Sequence, residues 1–387
     1  MQDAARLVQS TIGVVPTDGN AVTVLRNGDE IFPAMLDAIA DAERWIELAT
    51  YVYWTGDVAQ TVARSLAKRA REGVEVRVLV DWVGGRLMSR DLIEEMRESG
   101  VQFAWFRPPS RVARAVLSLD EGFVGQHRTH RKILVCDGVV GFTGGVGIAE
   151  EWTGDARGPG EWRDTHLRVE GPAAASLRSA FATNWHEASG EPLPVAADIP
   201  DWRPGDTSVQ VVRGQPGRFA SDVALLFRAL LDRVEERLWI STAYFVPEEE
   251  IAARIVAAVE RGVDVRILVP GPRVDKRVSR LAARAEMQPL LDAGVEIHEF
   301  MPTMLHTKVL VADDVAVCGS ANLNMRSMHQ DDEAVVVTHG GGVADELVAD
   351  MEQDLERAER MEPGRFERRP WRHRFAERVV AVIRRFL

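Results

Sequence analysis

Two short motifs in the chain combine a histidine with a lysine two residues later. They are His130-Arg-Lys132 and His306-Thr-Lys308, and an apolar run typical of a strand follows each. Residues two apart on a strand point to the same face, so each motif presents an imidazole beside an ammonium. An imidazole can attack phosphorus or carry a proton, and a lysine can balance charge on phosphate oxygens. The pattern therefore favours chemistry at a phosphodiester.

Two such motifs indicate a division of labour. If they meet, one histidine can attack phosphorus in line while the other protonates the departing oxygen. Asp164 and Glu333 each open a later strand with the same spacing to a following glycine. We expect each carboxylate to accept a hydrogen bond from the histidine of its own copy. Asp137 and Asp313 end the motif strands, and we expect them to hold the turn without touching substrate.

The motifs lie within an internal repeat. Each copy contains an apolar strand, an amphipathic helix and a strand rich in Val, Ile and Leu. The matching segments are 43–54 with 236–247, 71–81 with 260–270, and 98–109 with 292–303. Alternating strands and helices of this length indicate crossover units and largely parallel sheets covered by helices. The sequence predicts an α/β fold of two pseudo-symmetric lobes with the active site at their interface.

A single His-x-Lys is usually a surface feature, but two copies at matched positions, each followed by an Asp and a later acid, rarely arise by chance. On these residues the chain resembles the phospholipase D superfamily over nearly its whole length. Three segments are similar to bacterial cardiolipin synthases, especially forms without N-terminal membrane helices. They are WRDTHLRVEGPAA (162–174), TAYFVP (242–247) and MLHTKVLVADDVAVCGSANLNMRS (304–327).

The resemblance implies a reaction and roles for the histidines. It implies a phosphohistidine intermediate, no metal or other cofactor, and transfer of a phosphatidyl group from phosphatidylglycerol to an alcohol such as a second phosphatidylglycerol. By position His130 would be the nucleophile and His306 the acid and then the base, although the order could be reversed. Asp164 and Glu333 would stand behind the histidines.

The resemblance also implies a phosphate-binding set, made up of Lys132, Lys308, Asn322, Ser320 and Gly145. The first copy departs from the pattern, because Gly147 stands where the partner of Asn322 would be. That half lacks one side-chain donor and must rely on backbone N–H groups or Lys132.

The predicted domain order is an N-terminal lobe (1–190), a linker rich in Pro, Gly and acidic residues (191–206), a C-terminal lobe (207–361) and a basic tail (362–387). An insertion at about 109–127 is either a lid or a packed surface loop. The tail is typical of a basic amphipathic helix at an anionic membrane surface, although it could instead dock on the lobes or mediate a dimer. Its key residues are Trp371, Arg372, Phe375, Arg378 and Phe386.

Charge and cysteine content narrow the partners and the compartment. A formal net charge of −12 disfavours nucleic acid as a partner. Cys136 and Cys318 are expected to be buried free thiols. No signal peptide or membrane-spanning stretch is evident. We therefore expect a cytoplasmic protein, peripheral on the inner face of the cell membrane, whose oligomeric state the sequence leaves open.

Other functions share these residues. Hydrolysis of a phospholipid, or transfer to serine or another small alcohol, uses the same phosphohistidine step and differs in the acceptor pocket. A nuclease is less compatible with the acidic body of the chain. A membrane-bound scaffold without catalysis is disfavoured because both His-Lys pairs are retained.

Overall fold

A computed structural model describes residues 2–109, 127–194, 199–217, 220–275 and 277–364. The predicted insertion, apart from its two end residues, and the tail beyond residue 364 lie outside the described residues, so the lid and tail hypotheses concern parts of the chain that the structure does not describe.

The N-terminal half contributes seven strands and five α-helices to the described residues. The strands are β1 (Thr17–Arg26), β2 (Trp45–Thr50), β3 (Glu75–Asp81), β4 (Gln102–Phe106), β5 (Ile133–Cys136), β6 (Val140–Gly144) and β7 (Thr165–Glu170). The helices are α1 (Gln2–Ile12), α2 (Asn27–Asp41), α3 (Asp57–Arg71), α4 (Arg90–Glu98) and α5 (Ala173–Ser189), with a 3₁₀ turn at Glu150–Trp152.

The C-terminal half repeats this order. Its strands are β8 (Thr207–Gly214), β9 (Arg237–Thr242), β10 (Asp264–Pro270), β11 (Glu296–Phe300), β12 (Lys308–Ala312), β13 (Val315–Gly319), β14 (Glu333–His339) and β15 (Ala358–Arg360). Its helices are α6 (Asp222–Arg233), α7 (Glu249–Glu260), α8 (Arg277–Asp292), α9 (Met325–His329) and α10 (Val343–Leu355).

The described strands form a single sheet of fifteen, in the order β15-β11-β10-β9-β12-β13-β14-β8-β1-β7-β6-β5-β2-β3-β4. The α/β class and the two repeated lobes are as predicted. The expectation of largely parallel sheets is wrong, because only β2-β3-β4 and β9-β10-β11 are parallel among the major strands. The motif strands β5 and β12 instead enter hairpins with β6 and β13.

Short turns explain the antiparallel pairing. Asp137 and Asp313 adopt left-handed backbone conformations with φ of 52° and 54°, which reverses the chain directly after each motif strand. A parallel pairing needs a crossover of about a dozen residues, and the connection between Cys136 and Val140 is far shorter.

The amphipathic helices cover the sheet as their sequence patterns indicate. In α3 the buried residues Ala59, Val62, Ala63, Leu66 and Ala67 recur at helical spacing, so one stripe faces the sheet while the rest faces water. Nothing in the described residues forms a helix long and apolar enough to cross a bilayer. Cys136 and Cys318 are buried free thiols, as predicted.

The two lobes share a core. One apolar cluster contains Leu167 and Phe181 from the first lobe together with Val309 and Val336 from the second. The first helix crosses the predicted boundary, since Val8 packs in the core of the C-terminal lobe. The lobes are consequently held as one body, and groups from both can meet at fixed positions.

Candidate active site

Short backbone bridges join each motif to the opposite lobe. The N–H of His306 donates to the carbonyl of Arg163 over 2.7 Å, and the N–H of His130 donates to the carbonyl of Asp332 over 2.9 Å. In each case the residue that accepts directly precedes one of the predicted acids. The bridges therefore place each acid beside the histidine of the other lobe.

The side chains follow that arrangement. Nδ1 of His306 lies 2.8 Å from Oδ2 of Asp164, and Nδ1 of His130 lies 3.0 and 3.2 Å from the carboxylate oxygens of Glu333. We had expected each acid to hold the histidine of its own copy, and that expectation is wrong. Neither lobe contains a complete His–acid pair, so this arrangement exists only when the lobes are packed together.

Two buried arginines reinforce the lobe contact. The Nε–H of Arg163 donates to Asp354 in α10 over 2.8 Å. Arg131, between the first histidine and its lysine, donates from Nε to the carbonyl of Glu333 and from Nη2 to the carbonyl of Gly214, each over 3.1 Å. Both side chains are nearly inaccessible to water. They lie beside the reacting groups and fix the backbone that carries them.

Asp164 is held by donors on several sides. The indole Nε1–H of Trp152 donates to its Oδ2 and the N–H of Thr165 donates to its Oδ1, each over 2.9 Å. Burial alone would raise the pKa of Asp164, but Lys308 and the hydrogen bond from His306 outweigh it and lower that pKa. The carboxylate is therefore charged at neutral pH and orients the His306 ring.

Glu333 has a different partner. The hydroxyl of Ser320 donates to its Oε2 and also approaches the carbonyl of Ala334 over 3.3 Å. Burial raises the pKa of Glu333 to about 7, against the opposing charge of Lys132. The two acids are thus held by different donors, a serine in one lobe and a tryptophan in the other.

Two residues predicted to bind phosphate, Ser320 and Gly145, instead lie against the two active-site acids. Ser320 is fully buried behind Glu333, so its hydroxyl supports the acid. The N–H of Gly145 donates to the carbonyl of Thr165 over 3.3 Å, and a Cβ at this position would lie 2.6 Å from Oδ2 of Asp164 and closer still to Oδ1. Gly145 makes room for the carboxylate, and its N–H is not free for phosphate.

Asn322 is the remaining predicted phosphate ligand besides the lysines. Its side chain is buried, and Oδ1 has no hydrogen-bond partner among the described residues. In the first lobe, a Cβ at Gly147 would lie 2.7 Å from Val52 Cβ and 3.1 Å from the indole of Trp152. Val52 and Trp152 thus fill the space that an Asn322 counterpart would need. Sequence reasoning missed Trp152, because no motif marks it.

Both motif lysines are buried at the site. Nζ of Lys132 donates to the carbonyl of His130 over 2.7 Å, while Nζ of Lys308 lies 3.0 and 3.2 Å from the ring nitrogens of His306. Burial lowers the pKa of Lys132 to about 7, helped by the charge of Lys308, and burial lowers the pKa of Lys308 to about 8. A bound phosphate would restore full charge to both lysines.

The two histidines differ in their surroundings. Trp152, Trp162 and Tyr244 surround the ring of His306, with centroids 5.1, 5.4 and 6.2 Å away. Burial, with Lys308, lowers the pKa of His306 to about 4, so its ring is uncharged at neutral pH. The side chain of His130 is 13% exposed, against 6% for His306, and the ring of Tyr51 lies beside it with a centroid distance of 5.3 Å.

The motif aspartates lie at the far ends of their strands. Asp137 accepts hydrogen bonds from the backbone N–H groups of residues 43–45, and Asp313 accepts from those of residues 235–237. Each one fixes the turn to the start of a neighbouring strand. Among the described residues no three side chains of metal-binding type are grouped closely enough to hold an ion.

The repeated lobes, the paired His-x-Lys motifs and the crossed His–acid contacts define a phosphodiester-transfer enzyme of the phospholipase D superfamily. A family model described as "Cardiolipin synthase, PLD-like domain" matches residues 35–154 and 227–355. The chain belongs to this family, which confirms the resemblance found in the sequence.

Curated relatives agree with the family match. The chain is 36% identical to a cardiolipin synthase of Geobacillus kaustophilus over 368 residues, covering 93% of this chain and 71% of the relative. It is 34% identical to cardiolipin synthase 2 of Bacillus anthracis over 367 residues, covering 93% and 69%.

Solved structures support the fold alone. Phosphatidylserine synthase of Haemophilus influenzae superposes with a TM-score of 0.71 at 14% identity, covering 99% of this chain and all of that one. Polyphosphate kinase of Porphyromonas gingivalis superposes with a TM-score of 0.58 at 14% identity, covering 95% and 53%.

Proposed function

We propose that this enzyme transfers a phosphatidyl group from one phosphatidylglycerol to the alcohol of a second, which yields cardiolipin and glycerol. The observation that carries the proposal is the pair of histidines brought to one site from opposite lobes, each held at Nδ1 by a carboxylate. With Nδ1–H donated to the acid, Nε2 of each ring is the nitrogen left for chemistry. One ring can then act as nucleophile and the other as proton carrier.

The reaction divides into two displacements. Nε2 of one histidine attacks phosphorus, the bond from phosphorus to the glycerol oxygen breaks, and the second histidine gives that oxygen its proton. The second histidine then accepts the proton of the incoming lipid hydroxyl, whose oxygen attacks phosphorus as the P–N bond breaks. Lys132, Lys308 and Asn322 stabilise the non-bridging oxygens throughout.

The assignment of the two histidines is part of the proposal. Position in the chain suggested His130 as the nucleophile, but the surroundings favour His306. Its ring is buried among aromatic side chains and faces the Lys308 ammonium, so it is unprotonated at neutral pH. A nucleophile must be unprotonated, and the His306 ring meets that requirement. His130, whose ring is the more exposed of the two, is then left as the proton carrier.

The substrates place the enzyme at a bilayer. We propose that it works as a peripheral protein on the cytoplasmic face of the cell membrane and that the basic tail (362–387) binds anionic lipid. Removal of residues 365–387 is expected to reduce sedimentation with phosphatidylglycerol vesicles, most strongly at low salt, with phosphatidylcholine vesicles as the uncharged control. Unchanged sedimentation with phosphatidylglycerol vesicles would exclude this role for the tail.

The acceptor is identified by incubation with phosphatidylglycerol alone, followed by mass analysis of the lipids. Cardiolipin with an equal amount of glycerol is the expected result. Phosphatidic acid would instead mean a hydrolase, and a new phosphatidyl ester formed only when serine is added would mean a serine transferase. His130→Ala and His306→Ala are each expected to abolish turnover while keeping the melting temperature of the parent.

A further inference from the structure

A third histidine, His166, lies in the same cross-strand row as Lys132. Gly144 pairs with His166 between β6 and β7, and Ile133 pairs with Thr143 between β5 and β6. Lys132 directly precedes β5, so extending this register by one residue sets it opposite Gly144. Residues in one row of a sheet project from the same face. The side chains of Lys132 and His166 therefore stand on one face with only a glycine between them.

Gly144 gives the imidazole its position. A Cβ built on Gly144 would overlap Nδ1 of His166, so the ring leans across the glycine toward β5 and Lys132, which directly precedes it. His166 is 3% exposed, and Nδ1 has no hydrogen-bond partner among the described residues. A buried polar atom without a partner is costly and is uncommon without a reason.

The surroundings keep this ring uncharged. Burial lowers the pKa of His166 to about 4, the charges of Lys132 and Lys308 add to that shift, and Asp164 opposes it. A neutral imidazole has one nitrogen that accepts and one that donates. Nδ1 can thus accept a hydrogen bond from an ammonium that reaches it.

The other lobe lacks this feature. Val335 occupies the equivalent place, in a row with Gly319 and Lys308. Each motif lysine donates to the carbonyl of its own histidine, but the Lys308 ammonium also lies against the ring of His306. The lobe with His166 is also the lobe that lacks a counterpart of Asn322, which makes Lys132 its main side-chain phosphate donor.

We propose that His166 is a positioning residue for Lys132, and that in the substrate-bound enzyme its Nδ1 accepts a hydrogen bond from the Lys132 ammonium. The other two ammonium hydrogens then serve the carbonyl of His130 and a phosphate oxygen. This inference rests on the proposed phosphatidyl transfer and explains how a lobe with one fewer donor still holds its share of the phosphate.

The test compares His166→Val, which copies the residue of the other lobe, with His166→Asn, whose Oδ1 can replace the accepting Nδ1. Release of glycerol from phosphatidylglycerol is measured, because it reports the first displacement whatever the acceptor is. His339→Val, at another buried strand histidine, controls for the general cost of removing such a ring.

His166→Val is expected to lower kcat about tenfold, in the range typical of groups that orient a reacting residue, with a smaller change in KM. The alkaline limb of the pH profile should move to lower pH, because the ammonium loses an acceptor. His166→Asn should restore both properties, and His166→Val should add little to the loss caused by Lys132→Met.

Wild-type kcat and pH profile in His166→Val would overturn the proposal, as would equal losses in the Val and Asn variants at unchanged melting temperature. If His166→Val does not fold, His166→Asn is compared instead with Lys132→Met and with the double variant that carries both substitutions. If the proposed function itself is wrong, the wild-type enzyme will show it, by forming phosphatidic acid in place of cardiolipin or by releasing no glycerol. That result is distinct from any difference between the His166 variants.

Discussion

Asp164 lies 2.8 Å from Nδ1 of His306, although the two residues belong to opposite lobes. The contact follows from the backbone bridge between His306 and Arg163, which sets the next residue beside the ring. The Asp164 carboxylate therefore fixes the tautomer of His306, although the two residues are far apart in the sequence.

Asp164→Asn should leave the fold intact and lower kcat on the order of 10⁴-fold, the size of effect seen when an aspartate that fixes a histidine tautomer becomes an amide. Glycerol release under saturating lipid measures the effect. Asp137→Asn is the matched control, since that carboxylate holds backbone N–H groups away from the site; it should lower the melting temperature and spare kcat. Similar kcat values for both variants would contradict the assignment.

Trp152 supports Asp164 through a single indole hydrogen bond. Trp152→Phe removes that donor while keeping most of the ring packed against His306, and we expect kcat to fall about 10-fold. Trp54→Phe is the control, because its Nε1–H donates over 2.9 Å to the carbonyl of Gly84 instead of to an active-site acid. A Trp152→Phe enzyme as active as Trp54→Phe would show that the indole serves only packing.

A substitution at Gly145 tests how strongly the rate depends on the position of the Asp164 carboxylate. The added methyl of Gly145→Ala would displace the Asp164 carboxylate, and a shift of about 1 Å at a reacting group can cost roughly 10²-fold in rate. At Gly160 a Cβ would meet no atom within 4 Å, so Gly160→Ala should retain full activity. Equal rates in the two variants would mean that Asp164 tolerates the shift.

The burial of Glu47 is expected to make the free energy of unfolding depend on pH, and this effect is independent of catalysis. This fully buried carboxyl lies 3.1 Å from Arg178, and burial raises its pKa from 4.5 to about 7. Between these values the folded state holds a proton that the unfolded state releases, so its contribution to stability is present below pH 4.5 and is lost as pH rises to 7. The loss amounts to at most about 3 kcal/mol.

Urea unfolding of the wild type and Glu47→Gln across pH 4.5–7.5 measures this contribution as a difference between the two proteins. The variant should show the smaller decline in the free energy of unfolding as pH rises. Glu191→Gln, at an exposed carboxyl, controls for the removal of a charge. Parallel curves for wild type and Glu47→Gln would refute the prediction.

The sequence identified the residues that react but could not identify the residues that contact and orient them. His130, Lys132 and their counterparts could be recognised because their residue types and their spacing, repeated in two copies, are visible in the sequence itself. The crossed contacts of Asp164 and Glu333 depend on how two lobes pack, and a repeat within one chain carries no information about that packing. Trp152 and His166 lie outside the motifs, and their roles depend on glycines that leave space for their rings.

The assignment of His306 as nucleophile can be tested with a leaving group that needs no proton. In phosphatidyl-p-nitrophenol the departing phenolate is stable in water, so a variant without the general acid should still form the phosphohistidine. If His306 attacks, His130→Ala should release a burst of p-nitrophenol and His306→Ala should not. Mass analysis of the base-quenched protein should then find the phosphatidyl group on His306. A burst confined to His306→Ala, with the group on His130, would reverse the roles of the two histidines.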